Sequence, residues 1–333
     1  MYQDTAELWR EELDHTRQVL SPTPADQEDQ RFEFITPLLN RINELDAVAA
    51  RGGPLQPMSG GVFRINPQML SDYRTNRFSA HASNLGALLA HRVALDYQVP
   101  AYIVDPVTTD EFWPEARLSG VPGIERKCRS HALNIHYCAR LAAEEKEIPL
   151  SDSAFVVAHL GSGISIAAVA GGRIVDVNDG LLGMGPFSVE RAGSLPLAGL
   201  IELCFTEPYN RDRIENLLTH ESGFQGYLGT KDFREIIAMV DTDERTKLVY
   251  SAFCHQLIKE IGGMNALLGG KPDGLLLTGG LTRSDRLVND LSHALAFMDS
   301  IVIYPGAFES QALAKGVLRV LTGRELAQEY SAI

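Results

Sequence analysis

The chain has 333 residues, 45% of them hydrophobic and 22% charged, which suits a globular protein with a substantial core spread over about two domains. Its formal net charge of −13 argues against a general nucleic-acid or acidic-membrane surface. No apolar run approaches the roughly 18 residues of a membrane span, the acidic start Met1–Glu7 lacks a signal-peptide core, and Cys128, Cys138, Cys204 and Cys254 carry no Cys-x-x-Cys spacing, so the expectation is a soluble cytoplasmic protein with reduced thiols.

Residues 1–50 are polar, with apolar residues at helical spacing from Phe32 to Leu45. Ala47–Ala50 predicts a short strand that ends at Arg51-Gly52-Gly53, where the arginine suits an anionic group or a solvated turn equally. His81-Ala82-Ser83-Asn84 leads into a helix over Leu85–Tyr97, with Ser83 or Asn84 as its N-cap. Pro100–Val104 predicts a strand closed by Asp105-Pro106. A polar group just past a strand end is a favoured site position, and it is equally a common turn-former. Asp110–Pro122 is a Pro/Gly-rich connection. The basic segment Ile124–His131, with Arg126, Lys127, Arg129 and His131, reads first as a solvated face. It leads into a helix over Ala132–Glu145. His131 and His136 are five apart and share no helix face, which argues against a metal pair.

The centre of the chain is a predicted hairpin. Phe155–Leu160 reads as a buried strand that breaks into Gly161-Ser162-Gly163, Ile164–Ala170 as a second strand, and Arg173–Val177 as a third after the Gly171-Gly172 turn. Small residues between two strands let backbone amides approach an anion, so the first turn is a candidate phosphate cradle. Asn178–Ser188 is a glycine-rich loop, and Arg191 follows it before a helix from Leu197 to Phe205, a position suited to an anion. Gly223–Gly229 reads as a turn. Lys231–Arg234 opens a helix, and Asp243–Leu268 is a long amphipathic helix stopped by Gly269-Gly270. Gly274–Thr278 is a buried strand that runs into Gly279-Gly280 and a helix from Ser284 to Phe297, a unit that could lay a nucleotide flat against backbone. Ile301–Tyr304 reads as the last strand, and Glu309 opens the last helix, where it can simply favour the helix dipole.

Taken together, the blocks Arg51–Gly53, His81–Gly86, Ile103–Pro106, Glu125–Lys127 with His131–Asn134, His159–Ser165, Val175–Gly180, Gly185–Gly193, Gly226–Thr230, Leu277–Gly280 and Tyr304–Gly306 with Gln311–Ala314 resemble the butyrate kinase branch of the acetate kinase family across nearly the whole chain. The resemblance implies the α/β, two-domain actin-like ATPase fold shared by acetate and sugar kinases, Hsp70 and actin (ribonuclease H-like), with a central nucleotide cleft. It implies an acyl-site domain over 1–107 plus 310–333 and a nucleotide-binding domain over 108–309. It also implies a homodimer that transfers the ATP γ-phosphoryl, with Mg2+, to a short-chain fatty acid. Arg51 and His81 would then line the acyl site. Asp105 would act near the carboxylate and the metal. His131 and Arg191 would stabilise the phosphoryl in flight, while His159, Gly161, Ser162 and Gly163 cradle phosphates. Asp232, Phe233, Arg234, Gly279, Gly280, Leu281 and Ser284 would hold adenosine, and Glu309 the Mg2+. Members of this family open with a strand and an Asn-Pro-Gly-Ser-rich turn, and the sequence holds no such motif. The expectation is therefore a misplaced start or a truncation. The alternative is a catalytically impaired nucleotide-binding homologue with an interaction role.

Overall fold

The computed structural model describes residues 1–14, 20–21, 25–182 and 184–332. Parts of the polar N-terminal stretch, and Gly183 of the glycine-rich loop, lie outside the described residues. The chain divides into two compact units, Met1–Asp110 with Phe308–Ile333, and Glu111–Ala307, so Glu309 belongs with the first. Among the described residues no helix is long and apolar enough to cross a membrane.

The first unit is built on a four-stranded sheet. Val48–Arg51 runs parallel to Ala101–Val104, Val62–Arg64 pairs antiparallel with the other edge of that strand, and Gln328–Glu329 lies parallel to Val62–Arg64. Helices Asn84–Tyr97 and Glu309–Leu321 pack on this sheet. The second sits close because Gly316 has no side chain: a Cβ there would lie 2.8 Å from Val104 Cγ1. Met69, Tyr73, Leu88 and Ile103 are buried at the centre of the core. Several elements differ from the sequence expectation. The helix expected over Phe32–Leu45 runs from Glu28 to Leu39 and buries no residue. Ser83 precedes Asn84–Tyr97 in a helical conformation and makes no side-chain cap. Several short elements, the strand Val62–Arg64 among them, were not expected. A helix over Pro67–Arg74 is opened by Asn66, whose side chain accepts from Met69 N–H, and Gln328–Glu329 is a strand beyond Ile301–Pro305.

The second unit holds a five-stranded sheet in the order Ile301–Pro305, Gly274–Gly279, Ala154–Leu160, Ile164–Ala170, Arg173–Val177. The first three strands are parallel and the last two antiparallel. Their near-continuous apolar runs follow from burial on both faces. On one face Val156, Ala158, Leu160, Leu275 and Leu277 pack against Phe253, Leu257 and Ile261 of helix Glu244–Leu267 and Leu287 and Leu291 of helix Asp285–Ala294. Helix Ala132–Glu145 packs across the same strands. Gly171 and Gly172 have φ of +57° and +76°, as a primed hairpin turn demands. The turn expected over Gly223–Gly229 is instead a helix, Gly223–Leu228, stopped by Gly229 in the left-handed region.

Candidate active site

Strand register brings the polar groups of the second unit together. Residues of opposite parity to Val156, Ala158 and Leu160 point to the other face, which the pleat gives to Phe155, Val157 and His159. His159 pairs laterally with Ser165 on one side and Thr278 on the other, so three polar side chains sit side by side on an otherwise apolar face. Helix Ala132–Glu145 opens directly against them. Its N-cap, His131, stacks on His159 with ring centroids 3.9 Å apart and planes 12° from parallel. His131 Nδ1 lies 2.9 Å from Ser165 Oγ, and His159 Nδ1 lies 2.7 Å from Oδ1 of Asn134, in the first turn of that helix.

The Gly161–Gly163 turn leaves the end of the His159 strand beside this pair. Gly161 N–H donates to Gly163 O at 3.2 Å. A Cβ on Gly161 would lie 3.3 Å from His159 Nε2. On Gly163 it would lie 2.6 Å from Arg191 Nη1 and 3.2 Å from His131 Cε1. Gly163 is thus the point where His131 and Arg191 converge, and a side chain there would displace the Arg191 guanidinium. Ser188 ties the Arg191 loop to this turn: its hydroxyl donates to Ser162 O at 2.6 Å and accepts from Arg191 N–H at 3.2 Å. Arg191 donates from Nη1 to Gly180 O at 2.7 Å, and its buried Nε has no partner. Among the described residues no carboxylate lies within ion-pair distance of it, and burial pushes its guanidinium pKa below the ordinary value. A half-buried cation with an unused donor beside a glycine turn is suited to an anion.

In the basic segment Lys127 is exposed, but the two arginines before and after it are not simply solvated. Arg126 forms a bidentate pair with Asp176, at 2.6 and 3.2 Å, and Arg129 pairs with both Nε and Nη2 to Asp179. Both arginines are therefore neutralised by the end of strand Arg173–Val177 and the residues after it, and Arg191 is left to face an incoming charge.

A second glycine turn lies next to the first. Gly279, at φ +95°, packs so closely that a Cβ would fall 2.6 Å from the backbone N and C of Leu160. A Cβ on Gly280 would meet nothing within 4 Å. Leu281 packs against the core, and Ser284 caps helix Asp285–Ala294. In the expected adenosine segment, Asp232 caps helix Phe233–Met239 and pairs with the exposed Arg234, which holds its carboxyl down at about 2. Phe233 is buried among Phe224, Phe253 and Tyr250, so its ring is a packing group while its neighbours carry the polar chemistry.

In the first unit, Arg51 Nη1 donates to Glu309 Oε1 at 2.9 Å, with both side chains about two-fifths exposed. Gly52 lies against Asp105-Pro106, where a Cβ would come 2.8 Å from Pro106 Cβ, and Gly53 lies against Asn84. The blocks around Arg51, His81 and Asp105 are thus one cluster. His81 is exposed and bonds Ser83 Oγ at 2.6 Å. Asp105, at φ +40°, clamps Gly61: its N–H donates to Gly61 O at 3.0 Å and its Oδ1 accepts from Gly61 N–H at 2.7 Å. A turn role for Asp105 is therefore realised, whatever chemistry it adds. Among the described residues no group of three or more His, Cys, Asp and Glu gathers into a metal-ligand set. Glu309 suits the weaker demand of Mg2+, which keeps its waters and takes one or two carboxylates beside substrate phosphates.

Sequence reasoning passed over Asn134, Ser165 and Ser188. Each is a small polar residue whose partner lies on another element, and a single sequence does not reveal such partners. All three stand within the family-like blocks, which was the available signal.

Comparison with known proteins follows the same lines. The fold resembles acetate kinase from Porphyromonas gingivalis at 20% identity and a TM-score of 0.77, over 88% of this chain and 84% of that one. It resembles a propionate kinase from Francisella tularensis subsp. tularensis at 20% identity and 0.72, over 88% and 83%. Acetate kinase from Entamoeba histolytica matches at 17% and 0.73, over 88% and 85%. The mixed α/β architecture built on the four- and five-stranded sheets is thus that of the acetate kinase structures. The acetokinase family's sequence profile matches residues 121–303, more than half of the 333, and the chain belongs to that family.

Proposed function

We propose that the protein transfers the γ-phosphoryl group of ATP to a short-chain carboxylate, butyrate or a branched analogue, giving an acyl phosphate and ADP in a reversible reaction. The observation that carries this reading is Arg191: half-buried, without a carboxylate partner, with a buried unused donor, next to Gly163 and His131. The attacking carboxylate is already ionised at neutral pH, so the reaction needs no strong base. Its obstacle is the approach of one anion to another. Catalysis is then positioning and charge neutralisation.

In this reading a carboxylate oxygen bonds to the γ-phosphorus as the bond to the β,γ-bridging oxygen breaks, and ADP leaves with that electron pair. Arg191 and His131 stabilise the charge on the transferring group. His159 and the turn Gly161, Ser162 and Gly163 hold the phosphates. Gly279, Gly280, Leu281 and Ser284, with Asp232, Phe233 and Arg234, form the adenosine side. Arg51 and His81 bind the acid, with Asp105 ordering the same cluster. Glu309, already oriented by Arg51, would hold Mg2+, which neutralises phosphate charge when bound. The structural relatives are named for acetate and propionate, small acids of the same class. A preference for butyrate rests on the sequence blocks, and one methylene is worth only about 1–3 kcal/mol. A homodimer fits the exposed apolar helix Leu197–Cys204, which buries none of its residues while Leu197, Ile201 and Phe205 stand in solvent.

The test is hydroxylamine trapping of the acyl phosphate with Mg·ATP and acids of two to five carbons. Turnover with butyrate or isobutyrate above that with acetate supports the reading. Nucleotide binding with no trapped product for any acid overturns it in favour of the impaired homologue.

A further inference from the structure

We propose that Asn134 is a positioning residue that fixes a proton on Nδ1 of His159 and confines the titration of that ring to Nε2, the edge beside the Gly161–Gly163 turn. The chain of donors starts from a group with no choice. The backbone carbonyl of Ala307 can only accept, and it lies 2.7 Å from Asn134 Nδ2. The amide nitrogen therefore faces Ala307, and the amide oxygen faces His159. An amide oxygen can only accept, and it lies 2.7 Å from His159 Nδ1, so Nδ1 carries the hydrogen. Asn134 and His159 are 3% and 6% exposed, which keeps water from replacing either bond.

With Nδ1 already protonated, any further proton goes to Nε2. That atom is the one a Cβ on Gly161 would approach to 3.3 Å, so the ring gains its charge at the turn and nowhere else. The charged and titratable groups around it limit the outcome to one proton. His131, from the start of the helix that carries Asn134, stacks on the ring at 3.9 Å, and two stacked imidazolium rings repel. Arg191, from the loop, adds a cation close to Gly163. The laterally paired Ser165 and Thr278 carry none. The Cys138 thiol, next along the helix, is held neutral by burial, its pKa pushed up to about 12. A proton that an oxyanion entering the turn draws onto this ring from solvent therefore lands on Nε2 and converts it from acceptor to donor. The consequence for ligand binding rests on the turn being a phosphate cradle, as proposed above, whereas the tautomer does not.

The test is 15N NMR of histidine-labelled protein, with the ring assigned by His159→Gln, together with ADP titration calorimetry in buffers of different ionisation enthalpy. The neutral wild-type ring is expected as the Nδ1–H tautomer. Asn134→Asp, which keeps the acceptor, retains it. Asn134→Leu, which removes the acceptor, releases the ring to the Nε2–H form. ADP binding takes up about one proton above the free ring's pKa, and affinity falls about tenfold per pH unit until the bound-state pKa is passed. A wild-type Nε2–H tautomer, or an unchanged tautomer in Asn134→Leu, overturns the assignment. If the leucine variant does not fold, the wild-type and aspartate spectra decide it alone. ADP binding without proton uptake overturns the coupling. A correct tautomer in a protein that makes no acyl phosphate counts against the proposed reaction and leaves Asn134's role standing.

Discussion

Replacing Arg191 with methionine separates function from stability. The guanidinium makes one hydrogen bond, 2.7 Å to the Gly180 carbonyl, while its Nε is buried without a partner. Losing a charge-assisted bond costs about 1.5–3 kcal/mol. Against this stands the burial of a cation with no carboxylate in contact, which already depresses its pKa. The sign follows from linkage: the folded-state pKa lies below the unfolded one, so the charge opposes folding at every pH below the folded value, which covers all working conditions. Methionine keeps most of the aliphatic packing and removes that cost. The two effects offset, and the expected change in stability is within about 1 kcal/mol, or roughly 2–4 °C in Tm. The change in chemistry does not offset. Loss of one preorganised donor at a developing oxyanion costs about 10²–10³ in kcat, or about 2.7–4 kcal/mol. The assays are urea denaturation beside hydroxamate formation. A variant destabilised by more than about 3 kcal/mol makes Arg191 a structural residue, and a variant with near-normal kcat removes it from the mechanism; either result refutes the reasoning.

Other substitutions test the surroundings. Gly163→Ala would put a Cβ 2.6 Å from Arg191 Nη1 and 3.1 Å from Gly180 O, so ADP affinity should fall at least tenfold by calorimetry for about 1–3 kcal/mol of stability. Phe233→Ala should cost about 3–5 kcal/mol in denaturant, because the ring sits edge-on to Phe224 and Phe253 in the core. Arg234→Ala, at an exposed position, should leave stability nearly unchanged. Among the four cysteines only the exposed Cys204 should react with a thiol reagent in the native state, as read by peptide mapping. Burial raises the Cys138 and Cys254 thiols to about 12 and about 11. The unfolded thiols ionise first, so stability should decline as the pH rises from about 9 toward those values, and substitution of both residues should flatten that limb.

The parts of the fold legible in the sequence are those written in local patterns. The three strands Ala154–Leu160, Ile164–Ala170 and Arg173–Val177 fall within one residue of expectation, because continuous apolar runs and the Gly171-Gly172 turn leave little choice. Helix Ala132–Glu145 begins and ends as its apolar spacing predicts. Short elements were lost: Val62–Arg64 and Gln328–Glu329 hold three and two residues, too few for any period to register. Helix Pro67–Arg74 could have been found, since Asn66 followed by Pro67 is an N-cap and first-turn pair. At the site, residue type drew attention to Arg126 and Arg129, but only the fold supplies Asp176 and Asp179, fifty residues away in each case.

That pairing is what gives Arg191 its meaning. The glycine turn with His131, His159, Arg126, Arg129 and Arg191 would suit many anions if all were open to solvent. In the folded unit, Asp176 and Asp179 satisfy two of the arginines, Asn134 and Ser165 fix the inner edges of the two rings, and Ser188 holds the turn to the loop. Each of these contacts removes an alternative use for a polar group. The Nε of Arg126 is also buried without a partner, but its guanidinium already carries the Asp176 pair, whereas Arg191, beside the glycine turn, has a buried Nε and no carboxylate pair. In the proposed reaction, selectivity for a compact, highly charged group comes from the carboxylates and amides that have already answered the neighbouring charges.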